Sequence, residues 1–256
     1  MNALARASDY DCWTSLLSAP LYLHTTLDTI PRAVQIAREP ALIGQWRAVL
    51  DALPSGRRIG LVWKGNAKHH NDANRSIPSL ATLAPLWSVP GLSFVSLQKG
   101  QGEDDAREPP AGQPLLDLGV TVTDFADSAA IVAQLDLVIC VDTSIAHLAA
   151  SMGKPCWVML PDKDIDWRWL HERDDSPWYP HTLRLFRRAP GEDWSVSVER
   201  VRQACSSTSV SNGPLKLCWR ESYSRVGLIV SAVMPASQGR STPYASETLI
   251  WCFASN

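Results

Sequence analysis

The sequence predicts an α/β fold with a parallel sheet flanked by helices, and three observations carry that expectation. Apolar runs at 59–63, 137–141 and 155–160 show no polar alternation, as in strands buried on both faces. Stretches with helical spacing lie between such runs. Pro or Gly stands at many of the joins, as at Pro54, Gly56, Pro90, Gly91, Gly153 and Pro161. Strands alternating with helices imply right-handed crossovers, and ligands in such sheets bind beyond the C-terminal strand ends at a switch point.

Residues 1–40 do not read as a complete unit: 10–23 is apolar but broken by Pro20, and 25–31 reads as a turn or linker. Pro40 opens an amphipathic helix to Leu53, with Leu42, Ile43, Trp46, Val49, Leu50 and Leu53 on one side. The first strand, 59–63, runs into Lys64, Gly65 and Asn66 and a polar loop ending at Arg75. A helix begins at 76–79 and carries Leu80, Leu83, Leu86 and Trp87; the second strand follows at 92–97. Residues 98–113 read as a loop with room for one helical turn, and a short third strand is expected within 115–123, near Val120. Asp127 or Ser128 is expected to cap a helix through Leu135. After the fourth strand, 137–141, the period changes at Asp142, Thr143 and Ser144; Ile145, Leu148, Ala149 and Met152 recur at helical spacing until Gly153 stops them. A fifth strand at 155–160, a loop rich in Trp and charge at 162–181, a short strand at 183–186 and a helix at 194–205 complete the domain, taken as 41–205. Residues 206–256 open on a linker-like serine run, and poor order is expected there despite a strand pattern at 226–230.

The chain has 256 residues, a net charge of −2 and 45% hydrophobic residues, which fits a soluble globular protein and argues against broad attraction to nucleic acid or an anionic membrane. No apolar run is long enough to span a bilayer, and no basic-then-apolar leader opens the sequence, so a cytoplasmic location is expected. The six cysteines form no CxxC pair, and adjacent His69 and His70 lack a third ligand at metal spacing, so no metal site is expected. Neither a GxGxxG nor a P-loop is present, which argues against a dinucleotide oxidoreductase and an ATPase.

The corner at Asp142, Thr143 and Ser144 is the candidate site. A helix start has amides without intrahelical partners and a partial positive charge, which suits a phosphate; equally, Thr143 or Ser144 could cap the helix with nothing bound. Lys64, Lys68, His69, His70 and Arg75 bring positive charge to the loop after the first strand, which reads either as a solvated basic loop or as a second anion-friendly loop beside the corner. His147, one helical turn on from Thr143, leans toward the helix start, where it could contact a ligand or hydrogen-bond within the site. The loops 64–75, 98–103 and 142–144 should gather at one end of the sheet. Residues 162–169 either line a sugar site or cover the sheet edge.

The stretch VDTSIAHLAASMGKP at 141–155 resembles the DTxxxHLAxAxGxP signature of glycosyltransferase family 9, the heptosyltransferases. GLVWKGN at 60–66, NRSIP at 74–78, FVSLQKG at 94–100, DWRW at 166–169 and SPWYP at 176–180 resemble the C-terminal domain of bacterial tetratricopeptide-repeat proteins that carry such a module. The resemblance spans roughly 10–204 and implies the Rossmann-like C-terminal half of a two-domain GT-B fold, with a nucleotide-diphosphate sugar as donor substrate and no separate cofactor. It implies that Thr143 and Ser144 bind the diphosphate, with Arg75 near the phosphates and Asp142 and His147 beside the sugar and phosphates. Gln98 and Gln101 would approach the nucleoside, Phe125 and Ala126 would lie near the base, and Lys64 and Asn66 complete the donor set. In the family the N-terminal domain supplies the acceptor site and the usual catalytic base; here only its tail is expected, at 10–31, and no tetratricopeptide repeat is visible. The expectation is a donor-binding half that transfers no sugar alone, with an acceptor, protein or glycan, that the sequence does not name. The alternative is a non-catalytic interaction module or degenerate fragment that keeps the fold. A flavodoxin-like or epimerase-like nucleotide protein matches these motifs less well.

Overall fold

A computed structural model describes residues 14–15, 18–31, 36 and 38–209. Two helices precede the sheet, α1 (Ala19–Tyr22) and α2 (Pro40–Leu50). The strands are β1 (Arg57–Val62), β2 (Leu92–Ser96), β3 (Leu116–Asp117), β4 (Leu137–Val141), β5 (Cys156–Leu160) and β6 (Leu183–Arg187). Between and after them run α3 (Asp72–Arg75), α4 (Glu103–Arg107), α5 (Phe125–Val132), α6 (Ser144–Ser151) and α7 (Trp194–Ser209).

All five strand pairings are parallel and the order is β3-β2-β1-β4-β5-β6. This is a Rossmann-like, doubly wound sheet, and its order reverses between β1 and β4. Each central strand feeds two cores. Val138 and Cys140 of β4 face one cluster with α5 and α6, whereas Leu137, Ile139 and Val141 face the other with α7. Burial on both faces is why the strand segments read as unbroken apolar runs.

Several elements differ from the sequence reading. Leu80, Leu83 and Leu86 are buried on a 3₁₀ stretch, Leu80–Ser88, not an α-helix. Their spacing of three matches the 3₁₀ turn, and Pro85 within it lacks the amide a longer helix needs. The third strand falls within the expected 115–123 but before Val120: it pairs Leu116 with Val95 and Asp117 with Ser96. The chain then turns because Gly119 packs against the Gln98 carbonyl, where a Cβ would come within 1.7 Å. The cap of α5 is Asp124, not Asp127 or Ser128; its Oδ1 accepts the amides of Ala126 and Asp127. Asp127 instead accepts from the Thr123 amide and hydroxyl and from the Trp46 indole at 3.1 Å, which ties α5 to α2.

Gly153 ends α6 as expected. At φ +71 it lets its own amide reach Ala150 O and the Lys154 amide reach Ala149 O, a Schellman ending. Helix α7 runs past Cys205 to Ser209, and there Ser206 and Ser207 donate their hydroxyls back to the carbonyls of Arg202 and Ala204. The expected strand at 226–230 and the first part of the 10–23 segment lie outside the described residues.

Candidate functional site

The three loops expected to gather do so beyond the C-terminal ends of β1, β2 and β4. Gln98 is the clasp between the first two. Its Oε1 accepts the amides of Trp63 and Lys64 at 2.9 Å each, and its Nε2 donates to Lys64 O and Gln101 O. Gln101 in turn donates to Asp72 Oδ2 at 2.9 Å. The Gly65 amide donates to Ser76 Oγ, which donates to Asp72 Oδ1 at 2.6 Å. Asn66 folds back on its own loop, its Oδ1 accepting the Lys68 amide. Gln98 and Gln101 are thus engaged in holding the loops together, and half-buried Lys64 stands beside them.

Arg75 is buried, at 3% exposure, under this loop. Its Nη1 donates to Asp142 O at 3.3 Å, and its Nε lies 3.9 Å from Asp72 Oδ1. Gly65 leaves the space for it, since a Cβ there would sit 2.6 Å from Nη2. The guanidinium braces the turn from β4 into α6. His69 and His70 stack on one another at 4.4 Å, and His69 is held below its ordinary pKa by burial and then by Arg75.

At that turn, Thr143 is the N-cap residue of α6 in extended conformation, yet its side chain makes no capping bond. Thr143 Oγ1 and Asp142 Oδ1 are buried without hydrogen-bond partners, at 2% and 8% residue exposure. Such atoms normally carry a cost of about 1–3 kcal/mol each, so a partner at this corner would be rewarded. Burial raises the Asp142 carboxyl from an ordinary 3.8 to about 6, and the Asp166 carboxylate pushes the same way; Trp169, Arg75 and Arg168 oppose. The Trp169 indole acts on this carboxylate from outside full hydrogen-bond geometry.

His147 is held inside the structure. Its ring stacks on Trp169 at 4.9 Å and 12°, and Nδ1 lies 2.8 Å from the Tyr179 hydroxyl. Burial, then Arg168, lowers its pKa to about 4, so it is neutral near pH 7. The 162–181 loop therefore packs on the corner. Nothing in residue spacing announced this; the high Trp content of the loop was the only signal. Its backbone is tied down by Asn71 Nδ2, which donates to Lys163 O and Asp164 O, and by Ser176 Oγ to Arg168 O. Phe125 opens α5 and is exposed. Away from the corner, a groove runs along β6 and α7, lined by Arg184, Phe186, Arg187, Gln203 and Ala204. None of the expected donor residues lines it.

The fold is a Rossmann-like α/β domain, and its switch point carries a helix start with unpartnered polar atoms. Comparison with known proteins finds the following similarities. The model for "Glycosyltransferase family 9 (heptosyltransferase)" matches residues 103–158, a stretch that contains β4, the corner and α6. Protein FlbA of Caulobacter vibrioides is 28% identical over 207 residues, covering 79% of this chain and 34% of that protein. The structure of E. coli ADP-heptose lps heptosyltransferase II overlays with a TM-score of 0.49 at 17% identity, over 69% of this chain and 54% of that one. The glycosyl transferase family 9 structure from Veillonella parvula gives 0.46 at 13%, over 71% and 51%. The chain spans about a third of the length of FlbA and about half of each of these structures. Residues 103–158 are thus similar to a glycosyltransferase family 9 segment, and they sit in a parallel, Rossmann-like sheet.

Proposed function

We propose that the domain binds a nucleotide-diphosphate sugar, with the diphosphate at the start of α6, and that it transfers the sugar only when completed by a second, N-terminal domain. The observation that carries this reading is the pair of buried, unpartnered polar atoms, Thr143 Oγ1 and Asp142 Oδ1, at a helix start on the switch point. The family match over the same residues supports it. In this reading the amides of Ser144 and Ile145 and the Thr143 hydroxyl donate to phosphate oxygens. Arg75 acts through the backbone: by holding Asp142 O it sets the direction in which those amides point, and it adds positive charge behind them. Lys64, half-buried in the loop after β1, is the side chain proposed to reach the phosphates. Gln98 and Gln101 shape the nucleoside side by fixing the loops. His147 is a neutral wall of the site. Diphosphate release would then be stabilised by fixed dipoles rather than by a metal.

Burial of Asp142, Thr143 and Arg75 favours a second reading, in which the corner is purely structural and the domain is an interaction module. One substitution separates them. Ser144 is the first helical residue, a position that tolerates proline, and Thr143 has φ −142 and ψ 168, which a following proline accepts. Ser144→Pro therefore removes one amide while leaving the helix intact. Calorimetric titration with ADP-, UDP- and GDP-sugars should show binding to one of them. Ser144→Pro should weaken it about 10- to 100-fold, the value of one charge-assisted hydrogen bond of about 1.5–3 kcal/mol. No heat with any of the three supports the module reading.

A further inference from the structure

The loop after β5 carries two indoles with opposite fates. Trp169 is fully buried under His147, whereas Trp167, two residues earlier, is 44% exposed. Trp167 meets half-buried Trp178 edge to face, with centroids 5.3 Å apart and planes at 86°. With Trp178 at right angles to it and Arg168 over the ring, Trp167 still keeps 44% of its surface open to solvent. Asp166 and Arg168 flank it and form a bidentate pair, Nε to Oδ1 at 2.9 Å and Nη2 to Oδ2 at 2.7 Å, with the Arg168 carbon Cζ 6.0 Å from the Trp167 ring centre. Both keep further hydrogen-bonding capacity, since each side chain is about a quarter exposed.

The same loop adjoins the donor corner. The Asp166 charge is the strongest push on the Asp142 carboxyl after burial, and Trp169 stacks one turn into α6. The platform's backbone is also tied to the rest of the domain. The carbonyls of Lys163, Asp164, Arg168 and Trp169 accept from Asn71, Ser176 and Arg187. Holding this geometry before a ligand arrives reduces the ordering cost of binding. An exposed indole fixed in place, with a carboxylate and a guanidinium at its rim, matches one ligand chemistry. A pyranose has an apolar C–H face that lies on the electron-rich indole face and hydroxyls that reach charged groups beside it.

We propose that Trp167 and Trp178, with Asp166 and Arg168 at the rim, form a sugar subsite that receives the hexose-like ring of the donor. This rests on the donor reading above for its position. The test compares each free nucleoside diphosphate with its sugar derivative on the same chain, by calorimetry and by indole N–H NMR, in the unmodified chain, Trp167→Ala and Trp167→Phe. The expected result is tighter binding of the sugar derivative than of the free diphosphate by about 10-fold. That difference should vanish in Trp167→Ala and survive in part in Trp167→Phe, with affinity for the free diphosphate unchanged in both. The Trp167 indole signal should shift only with the sugar derivative. The subsite is overturned if the unmodified chain binds both forms equally, if Trp167→Ala keeps the difference, or if Trp167→Ala weakens both forms alike. If no nucleotide binds at all, the donor reading fails, and methyl glycosides at millimolar concentration decide the subsite alone. A shift of the Trp167 indole would uphold it, and no shift would end it.

Discussion

Helices α5 and α6 start from nearly the same backbone. Asp124 at φ −149, ψ −174 and Thr143 at φ −142, ψ 168 are both extended N-cap residues, each leading into eight residues of helix on the same sheet. Asp124 closes its helix start with its own carboxylate, which accepts two amides. Thr143 leaves its hydroxyl buried and unpartnered, beside an equally unpartnered carboxylate oxygen of Asp142. The first arrangement is complete in itself; the second leaves two buried polar atoms without a protein partner. The difference is one of position as much as residue type, because α6 begins at the point where the strand order reverses and α5 does not.

The largest expected effect comes from the two titrating groups at the open end. Asp142 has a folded value near 6 against an ordinary 3.8, so the stability it contributes is full below pH 3.8 and is lost as pH rises to about 6. His147 has a folded value near 4 against 6.5, so its contribution is full above pH 6.5 and is lost as pH falls toward 4. Each spans at most about 3 kcal/mol, and over pH 4 to 6 the two oppose. Neither group is among the causes of the other's shift. Asp142→Asn should therefore make stability rise with pH between 4 and 6.5, relative to the unmodified chain. His147→Phe should make it fall between 4 and 6. Urea unfolding at several pH values reads both. Parallel slopes in the two variants would contradict the assigned environments.

A smaller effect sharpens the contrast between the caps. Asp124→Ala should destabilise the fold by about 1 kcal/mol and leave nucleotide-sugar affinity unchanged, because it opens a start that serves only its own helix. Thr143→Ala should change stability by no more than about 0.5 kcal/mol, since no capping bond is lost and a buried unpartnered hydroxyl is removed. The same variant should nonetheless weaken nucleotide-sugar binding by several fold in calorimetry. If Thr143→Ala costs as much stability as Asp124→Ala, the two helix starts are alike and the corner is structural.

Among the described residues no helix is long and apolar enough to cross a membrane. The N-terminal helices carry apolar side chains at the surface, with Leu21, Tyr22, Leu23 and Val49 exposed, so the amphipathic pattern of α2 is covered on only part of its face. Sequence periodicity marks which side chains are suited to burial. It does not say whether a partner element lies within reach.

Strand identity and the break into α6 were legible from residues 137–153 alone, because a strand buried on both faces has to be apolar throughout and a helix has to repeat every three to four residues. Gly153 was legible for the same local reason, since few other residues adopt its φ. Charge density in the 64–75 loop was legible too, but its use was not. Gln98 and Gln101 hold loops together, Arg75 braces a carbonyl 67 residues away in sequence, and His147 lies against Trp169 and Tyr179. The sequence by itself determined the layering, the order of elements and the corner at 142–144, because backbone geometry and burial of apolar faces act over a few residues. The tertiary structure alone decided which polar atoms are paired inside the protein and which are left without a partner, because hydrogen-bond satisfaction depends on groups brought together from distant parts of the chain.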